Sequence, residues 1–209
     1  RGFVEKECLP HTERWENSSL SASVDYTNLG PYNGLVPQRI DWEDPVTAQG
    51  AQVGFRQKFE NGGLLKAQAT GQWSGFSMRY PQPDNPAEHS LLKLQNDNYY
   101  GSATYRQLIQ EKWRIDAGMA VGRDTEGITQ NFRLQRDNQM LQGRAMATRY
   151  YDNGWNLKLG TEWIHTHFDE DYQEAENQFV TRLRDDYLAV FAESGGYLGE
   201  HWALRAGLR

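Results

Sequence analysis

The feature that most constrains this chain is an alternation of apolar and polar residues sustained over stretches of about ten residues. The clearest stretch begins at Lys112. Every second position there is apolar: Trp113, Ile115, Ala117, Met119 and Val121. The positions between hold Lys112, Arg114, Asp116, Gly118, Ala120 and Gly122. Because successive side chains of a strand point to opposite faces, this pattern predicts a strand with one apolar and one polar face.

The same alternation recurs along the whole chain. It is clear in segments that contain Leu20–Tyr26, Ala51–Phe59, Leu65–Trp73, Tyr99–Tyr105, Trp155–Trp163 and Trp202–Leu208, and looser in 141–151 and 188–198. Together with the segment at Trp113, these stretches predict an all-β protein of about nine antiparallel strands.

The connections between the segments follow a rhythm. Tight turns are expected near Asn17, Gly62, Gln110, Asn153 and Gly199, about 45 residues apart. At the other end of the strand pairs, polar excursions of about fifteen to twenty residues are read as long loops, over 29–47, 77–95, 124–138 and 169–181. Long strands with short turns at one rim and long loops at the other are typical of an outer-membrane β-barrel.

A soluble β-sandwich also alternates, with its apolar face buried between two sheets. Strand length and aromatic residues near the strand ends favour the barrel. The polar residues on the apolar faces favour it too, since Gln57, Gln107 and Arg149 all lie close to the expected short turns. A charge on the lipid-facing side costs about 2–4 kcal/mol at the membrane midplane but only about 0–1 kcal/mol near the interface.

Composition restricts the remaining possibilities. The sequence contains no run of eighteen apolar residues, which a membrane-spanning helix would need but a barrel does not. Its net charge of −6 argues against a nucleic-acid partner. The single cysteine, Cys8, cannot form an internal disulfide. Because nine strands leave two unpaired edges and bacterial single-chain barrels use even strand numbers, we expect residues 1–209 to be a fragment of a larger barrel domain.

Three groups of polar residues each allow a functional and a purely structural interpretation. His165 and His167 share a strand face, so they would bind a metal or contact headgroups at the outer rim. Asp169, Glu170 and Asp171, followed by Glu174 and Glu176, would collect calcium or form a solvated loop. A glycosidase would need two carboxyl groups held together, and no spacing here does so. The sequence therefore predicts no enzyme, no catalytic residue, no metal site and no cofactor.

Ligand binding is expected in the first two long loops. The loop with Pro31, Pro37 and Pro45 is stiffened by its prolines, and its Tyr32 and Trp42 would stack on a flat or sugar-like ligand. The second loop has the same character and contributes Tyr80. The alternative is that both loops pack onto the barrel mouth. The polar face (Lys66, Arg106, Lys112, Arg114, Lys158, Glu162 and Arg205) is expected to point to the concave side of a curved sheet, against a wet channel or another domain.

Two segments resemble TonB-dependent outer-membrane receptors, particularly those of Bacteroidetes-type bacteria. Residues 26–45 (YTNLGPYNGLVPQRIDWEDP) look like one of the family's extracellular loop regions. Residues 186–209 (DYLAVFAESGGYLGEHWALRAGLR) are similar to its mid-barrel hairpin, in which an A-x-F-A-E strand turns into W-x-L-x-x-G-L-R. The resemblance covers the arrangement of all nine strands, but the similarity in amino-acid sequence is limited to about forty residues.

The resemblance implies a larger molecule with about 22 strands, closed by an N-terminal plug domain that lies outside these residues. It implies a bacterial outer-membrane location and uptake of a siderophore, haem, cobalamin, glycan or peptide. The implied partners are the TonB complex, engaged through the missing N-terminal part, outer-membrane lipid and lipopolysaccharide, and a surface lipoprotein. Two alternatives stay open: a passive porin-like or structural outer-membrane barrel, and a soluble carbohydrate-binding β-sandwich.

Overall fold

The fold is a single antiparallel sheet in which every strand pairs with its neighbours in chain order. The computed structural model describes residues 5–30, 41–82, 84–85, 87–199 and 201–209, with side chains from Leu9 onward. Its strands are β1 (Glu5–Arg14), β2 (Ser18–Asn28), β3 (Asp41–Lys58), β4 (Leu64–Pro81), β5 (His89–Ile109), β6 (Trp113–Thr129), β7 (Phe132–Tyr150), β8 (Asn156–Glu174), β9 (Asn177–Leu198) and β10 (Trp202–Leu208). Among the described residues, no helix is long and apolar enough to cross a membrane.

The sheet has ten strands, one more than the alternation predicts. The additional strand is β1, which pairs with β2 from Glu5↔Asn28 to Arg14↔Ser19. Neither side of β1 is apolar, because Leu9, His11 and Glu13 share one side and Pro10 and Thr12 share the other. Periodic hydrophobicity therefore gives no signal for β1, although its backbone pairs along its whole length.

The tight turns lie where the sequence predicts them. Two of them share one design, with the sequences Glu60-Asn61-Gly62 and Asp152-Asn153-Gly154. In each, the Asn side chain accepts a backbone N–H two residues ahead, at 3.0 Å from Gly63 and 3.2 Å from Trp155. The glycines have φ of 78° and 81°, values that glycine adopts without steric cost. The β5–β6 turn reaches the same handedness at Gln110 and Glu111, with φ of 50° and 58°.

The expectation of long loops at the other rim is wrong for most of 77–95, 124–138 and 169–181. In the remaining predicted loop, 29–47, residues 31–40 lie outside the described residues. Residues 124–138 are β6 up to Thr129, a two-residue connection and β7 from Phe132. Residues 169–181 are likewise strand except at 175–176, and 77–95 is interrupted only at 82–88. These polar excursions remain strand because charged and amide side chains pair across the ladder on both faces, which keeps the backbone extended and hydrogen-bonded.

The two faces of the sheet differ as the alternation predicts. We call the side that carries Trp113 the outer face and the side that carries Arg114 the inner face. Outer apolar side chains such as Val190 and Leu204 are 72% and 50% exposed, whereas the inner Asp116 and Glu162 side chains are 19% and 13% exposed. The outer face therefore presents exposed apolar side chains, and these two carboxylates of the inner face are held in ion pairs.

Aromatic and polar residues at the short-turn end of the outer face contact neighbouring residues of the same end. The Trp155 ring lies over Gly196, where an added Cβ would come within 2.4 Å of the indole. The guanidinium of Arg149 lies 5.4 Å from the Trp113 ring centroid and 5.0 Å from that of Tyr151. Gln107 accepts a hydrogen bond of 2.9 Å from the Tyr105 hydroxyl. The polar exceptions therefore lie beside the short turns, as predicted.

Candidate ligand-binding face

Three aromatic residues of the outer face divide the strands into two parts. Trp73, Tyr99 and Trp163 lie part-way along β4, β5 and β8. The Trp73 indole donates a 2.7 Å hydrogen bond to the Tyr99 hydroxyl, and their ring centroids are 5.7 Å apart. We call these residues the boundary, the strands on the short-turn side the lower part, and the strands beyond it the upper part.

The outer face changes character at the boundary. Below it the outer face is apolar, as on β6 between Trp113 and Val121. Above it the outer face is largely polar. Its residues include Thr47, Arg79, Lys93, Gln95, Asp97, Arg123, Thr125, Arg133, Gln135, Asp137, Gln139, His165, His167, Asp169, Asp171, Arg182, Arg184 and Asp186, with Leu91 and Val180 as apolar members.

The inner face changes in the opposite sense near the upper rim. One continuous line of cross-strand neighbours there is apolar, and we call it the rim row: Phe76, Leu94, Ile128, Leu134, Tyr172 and Phe179, with Trp42 packed against Phe76. Leu134 is among the few buried apolar side chains of the described residues. The Trp42 and Phe76 ring centroids lie 5.9 Å apart at 67°, and Tyr172 lies 5.4 Å from Phe132 and 6.2 Å from Phe179.

Two of the three predicted ligand-contacting residues lie at this rim. Trp42 belongs to the rim row, and its indole Nε1 is buried without a hydrogen-bond partner among the described residues. Tyr80 lies two residues beyond Met78 on the same face of β4 and accepts a hydrogen bond from the Gln130 side chain. Tyr32 lies outside the described residues. The sequence placed Trp42 and Tyr80 in loops, and the structure places both in strands.

Phe76, Leu134, Phe132, Tyr172 and Phe179 were not predicted as site residues. The signal that would have found them is a change of parity. On β8 the apolar residues occupy odd positions up to Trp163, and above it the aromatic residues Phe168 and Tyr172 occupy even positions. A strand that keeps its alternation but exchanges its apolar face has left one environment and entered another.

The polar groups beside the rim row are mainly acidic. Arg136 lies between Glu126 and Glu170, at 3.2 Å and 2.7 Å. Hydrogen bonds to Glu170 and Glu126 raise the pKa of Arg136 above its usual value. The Tyr172 hydroxyl donates a 2.9 Å hydrogen bond to Glu174, which raises the pKa of the phenol. The rim row therefore combines half-buried aromatic side chains and the exposed Phe179 with carboxylates and hydrogen-bond donors, a combination that holds neutral or cationic groups.

In the lower part the inner face is a network of ion pairs. Asp116 accepts hydrogen bonds of 2.7 Å from both Arg106 and Arg114. Glu193 likewise forms ion pairs with Lys158 and Arg205. Lys66, Arg106, Arg114, Lys158, Glu162 and Arg205 share this face, as predicted, whereas Lys112 lies in the β5–β6 turn and pairs with Asp152 at 3.1 Å.

The residues considered for metal binding have other partners. His165 lies 2.7 Å from Asp186, and His167 lies 2.8 Å from Asp169. Asp169 and Asp171 point outward while Glu170 and Glu174 point inward, because successive residues of a strand alternate. Within the described ranges, no group of three or more His, Cys, Asp or Glu side chains is arranged to hold a metal ion.

Comparison with known proteins rests on structure alone, since no family model and no curated protein matches the sequence. The sheet is similar to the alcaligin outer-membrane receptor FauA from Bordetella pertussis, with a TM-score of 0.65 and 10% identity over 98% of this chain. It is also similar to the ferric yersiniabactin uptake receptor FyuA from Yersinia pestis, with a TM-score of 0.52 and 9% identity over 91% of this chain. The sheet has the fold of part of an outer-membrane receptor barrel. It spans about a third of those receptors, 35% and 34% of their chains.

Proposed function

We propose that this chain is part of the barrel wall of a TonB-dependent outer-membrane receptor that takes up a scarce nutrient. The observation that carries the proposal is the outer apolar band with aromatic residues at both edges. On β6 and β8 the band runs from Trp113 to Val121 and from Trp155 to Trp163, nine residues each. A tilted transmembrane β-strand needs about 9–11 residues to cross the hydrocarbon core.

The upper part would then extend outside the membrane. β9 contains 22 residues, which corresponds to about 70 Å along the strand at about 3.3 Å per residue. Only about half of that length is needed to cross the bilayer. The rim row lies on the inner face of this extension, so Trp42, Tyr80 and Phe179 would meet a ligand that enters from outside the cell.

In the proposed receptor, residues 1–209 form part of the barrel domain, and an N-terminal plug outside this chain engages the TonB complex. Outer-membrane lipid and lipopolysaccharide would surround the outer face, and a surface lipoprotein would cover the mouth. The Bacteroidetes-type assignment and the choice among siderophore, haem, cobalamin, glycan and peptide remain part of the proposal.

The β-sandwich alternative is disfavoured by the exposure of the outer face. A sandwich requires Trp113, Trp155 and Trp202 to be buried between two sheets. The described strands form one sheet, and Trp202 is 73% exposed. A passive porin-like or structural barrel shares every strand pattern and is separated from an energised receptor by experiment.

The test is growth of a deletion strain of the source bacterium on single limiting nutrients: ferric siderophores, haem, cobalamin or glycans. We expect loss of growth on one of them, restored by the full-length gene and lost again when the TonB complex is removed. Uptake that persists without TonB, together with steady ion conductance of the purified full-length protein in planar bilayers, would establish the passive pore instead.

The rim row is tested with the same full-length protein. Trp42→Ala and Tyr80→Ala should each raise the concentration of that nutrient required for half-maximal growth by about tenfold, the effect of losing about 1.4 kcal/mol of binding. Val180→Ala is the matched control, because Val180 is an exposed apolar residue of the upper part on the outer face. Equal effects of all three substitutions would exclude the rim row as the ligand surface.

A further inference from the structure

A hollow of about 330 Å³ lies on the inner face of the lower part. Its floor is formed by the small residues Thr104 and Gly118 on β5 and β6. Lys66 and Arg144 flank the floor in the same line of cross-strand neighbours, one on each side. Arg106 and Arg114 complete the wall. This volume is at the lower end of the range of about 300–1,000 Å³ for small-molecule pockets.

The charges of the hollow are unbalanced. Asp116 is the carboxylate in its lining, and two arginines, Arg106 and Arg114, already pair with it. Among the described residues, Lys66 and Arg144 form no ion pair, and the guanidinium of Arg144 lies 5.2 Å from the Phe191 ring centroid. This excess of positive charge contrasts with the net charge of −6 of the whole chain.

The geometry allows the positive groups to converge. Lys66 and Arg144 are separated by three strand spacings, about 14 Å at about 4.8 Å each. Lys66 is long enough to reach over Thr104 and Gly118, which are the residues between Lys66 and Arg144 in this line. The guanidinium of Arg144 is turned toward Phe191, and a change of its side-chain rotamer brings it over Gly118. Gly118 keeps the floor low, since an added Cβ there would meet Thr104 at 3.4 Å.

We propose that this hollow binds a small multivalent anion, one that carries phosphate or several carboxylate groups. Arginine presents a planar fork that matches phosphate and carboxylate oxygens, and lysine adds a point charge. The hollow binds the anion where this wall faces the wet channel and not the plug, and a passive pore with the same wall would bind it as well. Its failure therefore leaves the proposed receptor function untouched.

The experiment is isothermal titration calorimetry of the full-length protein, purified in detergent at low ionic strength, with inorganic pyrophosphate and with citrate as probes. We expect saturable binding of one anion per protein. The double variant Lys66→Gln/Arg144→Gln should weaken binding by about tenfold or more, because two charge-assisted hydrogen-bond donors are lost. Raising the NaCl concentration should weaken binding by the wild-type protein as well.

Two further variants keep the test decisive. Lys93→Gln/Arg133→Gln removes the same charge from the outer face of the upper part and should leave the affinity within about twofold of wild type, as expected for charges that are distant and screened. Gly118→Val fills the floor without changing any charge and should abolish binding. Absence of saturable binding by the wild-type protein, or an equal loss in the outer-face control, would overturn the proposal.

Discussion

The lower and upper parts of this sheet are built from the same strands but have opposite faces. Below the boundary of Trp73, Tyr99 and Trp163, apolar residues point outward and ion pairs point inward. Above it, charged residues point outward, and the rim row places aromatic residues on the inside. Each long strand therefore passes through two environments. The residues at which the apolar face changes sides mark the border between them.

The inner and outer ion pairs, in contrast, are similarly exposed. On the inner face of the lower part, the side chains of Arg106 and Asp116 are 60% and 19% exposed. On the outer face of the upper part, the side chains of Arg123 and Asp137 are 55% and 24% exposed. Exposed pairs contribute about 0–1 kcal/mol each, so the upper outer face depends on its many backbone hydrogen bonds more than on any one pair.

The largest expected effect comes from a charge on the lower outer face. Met119→Arg places a guanidinium near the middle of the apolar band and should lower the free energy of unfolding by about 2–4 kcal/mol. Gln135→Arg, on the outer face of the upper part, should change it by about 0–1 kcal/mol. Urea titration of the full-length protein in lipid vesicles measures both, and equal costs would remove the distinction between the two parts.

The second prediction compares a residue of the rim row with one on the opposite face of the upper part. Leu134→Ala removes a side chain that is 9% exposed between Ile128 and Tyr172, and should cost about 2–3 kcal/mol. Leu91 lies on the outer face of the upper part and is 37% exposed. Leu91→Ala should therefore lower the free energy of unfolding by less than about 1 kcal/mol. The same titration compares them, and a larger cost at Leu91 would contradict the placement of apolar packing on the inner face.

A smaller effect is expected from two glycines, one in each part. An added Cβ at Gly160 would lie 2.3 Å from the Phe191 ring and 2.9 Å from the Ala145 carbonyl oxygen, so Gly160→Ala should cost about 1–3 kcal/mol. Nothing lies within 4 Å of such an atom at Gly127, so Gly127→Ala should be neutral or slightly stabilising. If thermal unfolding midpoints of both variants match wild type, the tight packing of Phe191 over β8 is wrong.

The smallest effect concerns the pH dependence of the upper part. Hydrogen bonds from Arg123 lower the pKa of Asp137 below its usual 3.8. The pair's stabilisation is therefore present above about pH 4 and is lost as the pH falls through the lower folded pKa. Asp137→Asn should flatten the loss of stability below pH 4, and Arg123→Gln should produce the same change. A double variant that changes the acid profile further would show that the two residues act separately.

The lower part could be predicted from the sequence and much of the upper part could not. Alternation at Trp113–Val121 and Trp155–Trp163 assigns both faces, and Asn-Gly turns at Gly62 and Gly154 fix the strand ends. β1 was missed because it has no apolar face. The sequence predicts loops in the upper part because the outer face there has no apolar periodicity, although β6 and β7 pair continuously up to Thr129↔Arg133.

The sequence predicts only part of the candidate site, for the same reason. Trp42 and Tyr80 were found from their aromatic character in proline-rich segments, without the strand placement that joins them. Phe76, Leu134 and Tyr172 become neighbours only through the register of β4 to β9, which local sequence does not specify. The hollow above Gly118 likewise depends on four strands in register and on the small size of its floor.

The most direct test of the boundary is site-directed spin labelling along β8 in the full-length protein, with Cys8 and every other native cysteine replaced by serine. Labels at Leu157, Leu159 and Thr161 should be relaxed mainly by oxygen, which concentrates in lipid. Labels at His167, Asp169 and Asp171 should be relaxed mainly by a water-soluble nickel chelate. We expect the change to fall between Trp163 and His167. Strong nickel accessibility at Leu157 and Leu159, or no change along the strand, would contradict it.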